Sequence, residues 1–101
     1  MKSFRWNEPK RQSFLIKGDS MMPTVSNGNV IFYVPGEYRD NNVYVIDVFG
    51  ELKCKRIEFR LNGDIIVISD NAKYEKEIFK KDNETLRICG VVIAWTHKNI
   101  Y

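Results

Sequence analysis

The run Lys17-Gly18-Asp19-Ser20-Met21-Met22-Pro23-Thr24 directly follows the apolar triplet Phe14-Leu15-Ile16. A serine set among Gly, Asp and Pro at the end of a short apolar segment has two readings. It is either a hydroxyl on a tight turn or a nucleophile presented at the end of a strand. A serine hydroxyl attacks a carbonyl only when a neighbouring group takes its proton. The second reading therefore requires a base elsewhere in the chain.

Two residue types could supply it. The only histidine, His97, stands four residues from the C-terminus in a segment of the kind that frays. A lysine can serve instead if burial disfavours its ammonium form and lowers its pKa. In Leu52-Lys53-Cys54-Lys55-Arg56-Ile57-Glu58-Phe59, strand alternation puts Lys53, Lys55, Ile57 and Phe59 on one face. Lys55 is in phase with two large apolar groups, whereas Lys53 lies nearer the hairpin end and the solvent. Lys55 is the lysine placed for desolvation. The competing account is an edge lysine whose stem covers apolar surface while its head reaches water.

Other chemistries find little support. Cys54 and Cys89 match no metal or redox spacing, and each sits in an apolar-rich segment, so two buried free thiols are expected. With one imidazole in the chain, no metal site and no cofactor are expected.

The 101 residues allow one domain, and 44% apolar with 29% charged residues is a globular composition. No apolar run approaches the roughly 18 residues that span a bilayer. The N-terminal stretch MKSFRWNEPKRQSF is basic without the apolar middle of a secretory signal. A soluble cytoplasmic protein with no membrane contact is the expectation. The net charge of +3 is uneven: residues 1–17 hold five basic residues against Glu8, and the remainder is close to neutral. That remainder offers no phosphate-binding face, and residues 1–13 read as a basic leader or linker remnant.

The elements that must position Ser20 and Lys55 read as short strands between turn signals. Strands are predicted at Phe14–Lys17, Val30–Val34, Val43–Phe49, Leu52–Arg60, Ile65–Ser69 and Leu86–Thr96, with Ile78-Phe79 as a short piece. The run at Val30–Val34 reads as a buried strand. Asn62-Gly63 predicts a type I′ hairpin turn, and Gly90 inside the last strand predicts a bulge or bend. Residues 73–81 carry the only helical signal, a weak one. The fold class expected is a mostly β domain over 14–101, of several short, twisted strands with little helix.

Four segments in order resemble one family. Gly18-Asp19-Ser20-Met21-Met22-Pro23-Thr24, followed by Gly28-Asn29-Val30, resembles the nucleophile loop of LexA-like and phage CI-like repressors. Cys54-Lys55-Arg56-Ile57 is similar to their base-bearing strand, Ser69-Asp70-Asn71-Ala72-Lys73-Tyr74 to their Ser-Asn/Asp-Asn-x-x-Tyr segment, and Ile88-Cys89-Gly90-Val91-Val92 to their closing strand. The C-terminal domains of these repressors are self-cleaving Ser–Lys peptidases of the S24 type, and the likeness covers roughly residues 14–96.

The resemblance implies Ser20 as nucleophile, Lys55 as general base, and the backbone amides around Asp19 and Ser20 as oxyanion donors. Gly18 would allow the sharp turn, Asp19 would stabilise it, and Met21, Met22 and Pro23 would line or shape the cleft. Arg56 would serve structure. It further implies a homodimer, DNA contact only through a helix-turn-helix domain, and a recombinase–DNA filament as trigger.

The chain departs from the pattern in two respects. The thirteen residues ahead of Phe14 cannot hold a helix-turn-helix domain, and residues 1–17 contain no Ala-Gly or Cys-Gly bond of the kind such repressors cut. The single Cys-Gly, Cys89-Gly90, falls in the last predicted strand. Three functions are therefore carried forward. One is a self-cleaving, dimerising repressor domain. Another is a non-catalytic dimerisation module using Leu86–Trp95 as an exposed strand. The last is a processing enzyme, either signal-peptidase-like or of the translesion-polymerase accessory type.

Overall fold

The computed structural model describes residues 10–38 and 40–96. His97, the alternative base, lies outside the described residues. Seven strands follow one another: β1 (Gln12–Leu15), β2 (Val30–Pro35), β3 (Asn42–Val48), β4 (Glu51–Phe59), β5 (Ile65–Ile68), β6 (Glu77–Phe79) and β7 (Leu86–Trp95). They form one antiparallel sheet in the order β1-β2-β7-β3-β4-β5-β6. No helix occurs among the described residues. Among these residues, then, no helix is long and apolar enough to cross a membrane.

Alternation along β3 explains how one sheet supports two cores. Val43 and Val45 join Ile16, Met21, Val25, Ile31 and Cys54 in one apolar cluster. Tyr44 and Ile46, pointing the other way, join Ile57, Ile65, Val67 and Leu86 in a second. A strand covered on both faces reads as a continuous apolar run, as Val43-Tyr44-Val45-Ile46 does. β2 is covered less evenly: only Ile31 and Tyr33 are buried, so the expectation of a wholly buried strand there is corrected to alternating burial.

The sheet bends at two irregularities in β7. Its register with β3 skips Cys89 between Gly90 and Ile88, and its register with β2 skips Ile93 between Ala94 and Val92. The bulge expected near Gly90 is there. Gly90 also lies against β2, where a Cβ would meet the Val34 carbonyl oxygen at 2.4 Å.

Several sequence expectations are corrected. The first strand begins at Gln12, two residues early, because it pairs Gln12 with Tyr33 and the Tyr33 hydroxyl donates to Gln12 Oε1 at 3.1 Å. The Asn62-Gly63 hairpin exists, but only Gly63 has a positive φ, 96°. Gly63 N–H donates to Arg60 O and Arg60 N–H to Asp64 O, each at 2.9 Å. That is a longer loop with the glycine at its left-handed position, not a type I′ pair. The two-residue loop with both φ values positive is Phe49-Gly50, at 54° and 84°.

The weak helical signal at 73–81 yields a turn and β6, because Glu77–Phe79 pair with Val67–Ile65 of β5 and Phe79 packs on the second cluster. β7 lies between β2 and β3, with β3 paired along Leu86–Val91 and β2 along Gly90–Trp95, so only Gly90 and Val91 have ladder neighbours on both sides. The Cys89-Gly90 bond is held within this central strand. Both thiols are free, but Cys89 is only half-buried, since the bulge turns it out of the regular alternation.

Candidate active site

Residues 16–29 connect β1 to β2, and their apolar members fix the polar ones. Ile16, Met21 and Val25 are buried in the first core cluster. The turn closes through Ile16 N–H to Asn29 O and Gly28 N–H to Ile16 O, both at 2.9 Å. Gly18 adopts φ +88°, and a Cβ there would touch nothing within 4 Å. Glycine is thus required by backbone conformation rather than by space. Ser20, half-buried, follows at the surface of this anchored turn.

A cleft of about 350 Å³ opens beside it. One wall is residues 14–17 with Ser20 and Met21, and the other is residues 51–55 of β4. That stretch of β4 pairs with β3 on one side only, because β5 joins β4 only from Arg56 to Phe59. The cleft therefore runs along an unpaired strand edge, with Ser20 and Lys55 both on its walls. Met21 lines it, whereas Met22 and Pro23 are exposed and lie outside its lining.

The Lys55 amine donates to Ser69 Oγ at 2.8 Å. Among the described residues no hydrogen bond joins it to Ser20. Burial pushes the Lys55 pKa down, and the charge of Lys53 adds to this, while Glu77 and Cys54 oppose it. Lys53 is half-exposed and sits 3.4 Å from Glu51. Burial pushes the Cys54 thiol up to about 12, which makes it an inert wall of the cleft.

Asn71 holds the Ser20 turn from outside. Its side-chain amide donates to Asp19 O and its backbone N–H to Ser20 O, both at 2.9 Å. In a trans peptide the N–H points opposite to the C=O, so the Ser20 and Met21 N–H groups face away from Asn71. The Met22-Pro23 bond is cis.

A family model described as Peptidase S24-like matches residues 4–93. The chain belongs to the Peptidase S24-like family. No curated protein matches it significantly. This S24-like domain has the all-β, serine-peptidase-type fold that the segment order implied.

Arg56 and Asp19, given structural roles from sequence, tie the site together with Thr24, Asp70, Lys73 and Tyr74, which were given none. The Arg56 guanidinium grips Asp70 through Nε to Oδ1 at 2.7 Å and Nη2 to Oδ2 at 2.8 Å. Thr24 Oγ1 donates to Asp70 Oδ2 at 2.5 Å. Asp70 thereby links β4, the Ser20 turn and the loop that carries Ser69. The Arg56 hydrogen bonds hold its carboxyl below the usual range, with Thr24 assisting and burial opposing. Asp19 accepts from the Tyr74 hydroxyl at 2.5 Å and lies 3.0 Å from Lys73 Nζ. The Tyr74 bond, then Lys73, keep Asp19 low, so it stays an ionised acceptor. The segment Ser69–Tyr74 was visible as a polar run after an apolar strand. Its individual partners were not, because they lie 14 to 55 residues away.

Proposed function

We propose that this domain is a serine peptidase of the LexA/CI-like repressor type, with Ser20 as nucleophile and Lys55 as general base. It would cut a small-residue–Gly bond in a linker of its own polypeptide and dimerise the repressor. The observation that carries the reading is the shared cleft: a serine on an anchored turn and a partly desolvated lysine line one unpaired strand edge. An extended peptide laid along Glu51–Lys55 would satisfy that edge's free backbone groups and bring its carbonyl past Ser20.

In the reaction the neutral Lys55 amine takes the Ser20 proton while Oγ forms a bond to the scissile carbonyl carbon. The Ser20 and Met21 N–H groups are the donors for the oxygen as it gains charge. Collapse breaks the C–N bond, and the leaving amine takes the proton from the Lys55 ammonium. Water, giving its proton to Lys55, then attacks the ester, and Ser20 recovers its hydrogen as the acid departs. Ser69 holds the amine throughout by accepting one of its hydrogens.

The test extends the chain ahead of residue 1 by a linker carrying an Ala-Gly bond and follows cleavage at raised pH. Wild type is expected to process itself, with Ser20→Ala and Lys55→Ala each slower by roughly 10³-fold or more. Processing at the wild-type rate in both variants overturns the mechanism and leaves a non-catalytic association domain.

A further inference from the structure

We propose that Tyr74 is the positioning residue that holds base and nucleophile in one arrangement, its ring facing the Lys55 amine and its hydroxyl fastened to Asp19. This rests on the reading of Ser20 and Lys55 as nucleophile and base, and adds a resting state to it.

Three contacts converge on this side chain. Lys55 Nζ lies 5.8 Å from the ring centroid. The hydroxyl donates to Asp19 Oδ1 at 2.5 Å, on the residue next to Ser20. Lys73 Nζ stands 5.5 Å from the same ring and 3.0 Å from Asp19 Oδ2, closing the cluster from outside. The backbone is fixed as well: Tyr74 N–H donates to Asn71 O at 3.1 Å, and Asn71 holds the carbonyls of Asp19 and Ser20. A movement of Tyr74 thus moves both halves of the site.

The ring distinguishes the two forms of the amine. An aromatic face attracts an ammonium electrostatically but has little hold on a neutral amine. The charged lysine is drawn toward the ring and Ser69; once neutral, it keeps only the Ser69 bond and is released to accept a proton from Ser20. Tyr74 opposes the burial that lowers the Lys55 pKa. Among the described residues, the other groups facing or flanking Lys55 are Lys53 and Cys54 on β4, Ser69 after β5, Glu75 and Lys76 in the loop, and Glu77 on β6. Asp19 and Lys73 contact Tyr74 itself, and Tyr74→Phe, which loses the Asp19 bond and keeps the ring, separates their effect from that of the π face.

The experiment is a pH titration of the Lys55 ε-carbon by NMR in the full chain, with wild type, Tyr74→Phe and Tyr74→Leu compared. Leucine keeps the apolar cover and removes the π face. The Tyr74→Leu midpoint is expected about half a unit below wild type, with Tyr74→Phe between the two. A Tyr74→Leu midpoint at or above wild type overturns the proposal. Should leucine unfold the domain, progressive ring fluorination of phenylalanine at position 74 preserves shape while draining the π face. The midpoint should then fall with each fluorine, and a flat series overturns the proposal.

Labelling of Ser20 by a fluorophosphonate separates the two claims. An inert Ser20 with the ring-dependent shift intact removes the peptidase reading and keeps the Lys55–Tyr74 coupling. A reactive Ser20 with no ring-dependent shift removes this inference alone.

Discussion

A lysine proposed as a base must spend part of its time uncharged, and burial of Lys55 favours the uncharged form at a cost in stability. Lys55 has a folded pKa below its unfolded value, so the unfolded chain binds more protons between the two. The penalty is full below the folded pKa and is relieved as pH rises toward 10.5, the ordinary lysine value. Lys55→Met should therefore raise the urea midpoint at pH 7, and the gain over wild type should shrink as pH approaches 10.5. A gain that grows with pH would contradict the assignment. At this scale the sequence was informative where chemistry is local. Ser20 stood out by its neighbours, and Lys55 by its phase with Ile57 and Phe59, both of which pack in the second core. Ser69 carried no local mark, since its meaning is a hydrogen bond to a residue on another strand.

Elements hold the site through a few strained or crowded positions. Phe49 has φ 54°, a region that L-residues with large side chains avoid, and its ring is 86% exposed and gains little from burial. Phe49→Asn should stabilise the β3–β4 hairpin by about 1 kcal/mol in urea unfolding. At Gly90 the opposite holds: the added methyl of Gly90→Ala would press on the Val34 carbonyl, and a loss of about 2–3 kcal/mol is expected. The Asp70 linkage is a third case. Asp70→Asn should cost about 1–2 kcal/mol at pH 7, the lower end because Arg56 remains 41% exposed. The carboxylate's contribution is present above its unfolded pKa and fades as pH falls through its depressed folded value. The wild-type advantage over Asp70→Asn should therefore vanish in acid, as paired urea titrations would show. Turn types were the least legible feature here. Asn62-Gly63 looks like a two-residue turn, yet Arg60 and Asp64 close a longer loop, and the positive-φ pair sits at a phenylalanine.

Over the whole molecule, strand content was readable and strand order was not. Apolar runs mark β2, β3 and β5 and alternation marks β4, but nothing local tells β7 to enter between β2 and β3. That insertion flanks β7 on both sides only at Gly90 and Val91, while the sheet brings residues 14–17 opposite residues 51–55 to make the cleft. The Lys and Glu residues at 73–81 read as weakly helical because both have high helix propensity, yet pairing of β6 with β5 partly buries Phe79 and prevails. The repressor-type reading expects association, so sedimentation equilibrium of this chain should give twice the monomer mass; a monomer at high concentration would contradict dimerisation. The central claim is that Lys55 takes the proton of Ser20. Its most direct test is the rate of Ser20 labelling by a fluorophosphonate across pH, in wild type and Lys55→Met. The rate should rise with pH to a midpoint below 10.5 in wild type and be lost in the variant. Equal rates in the two proteins at every pH would contradict it.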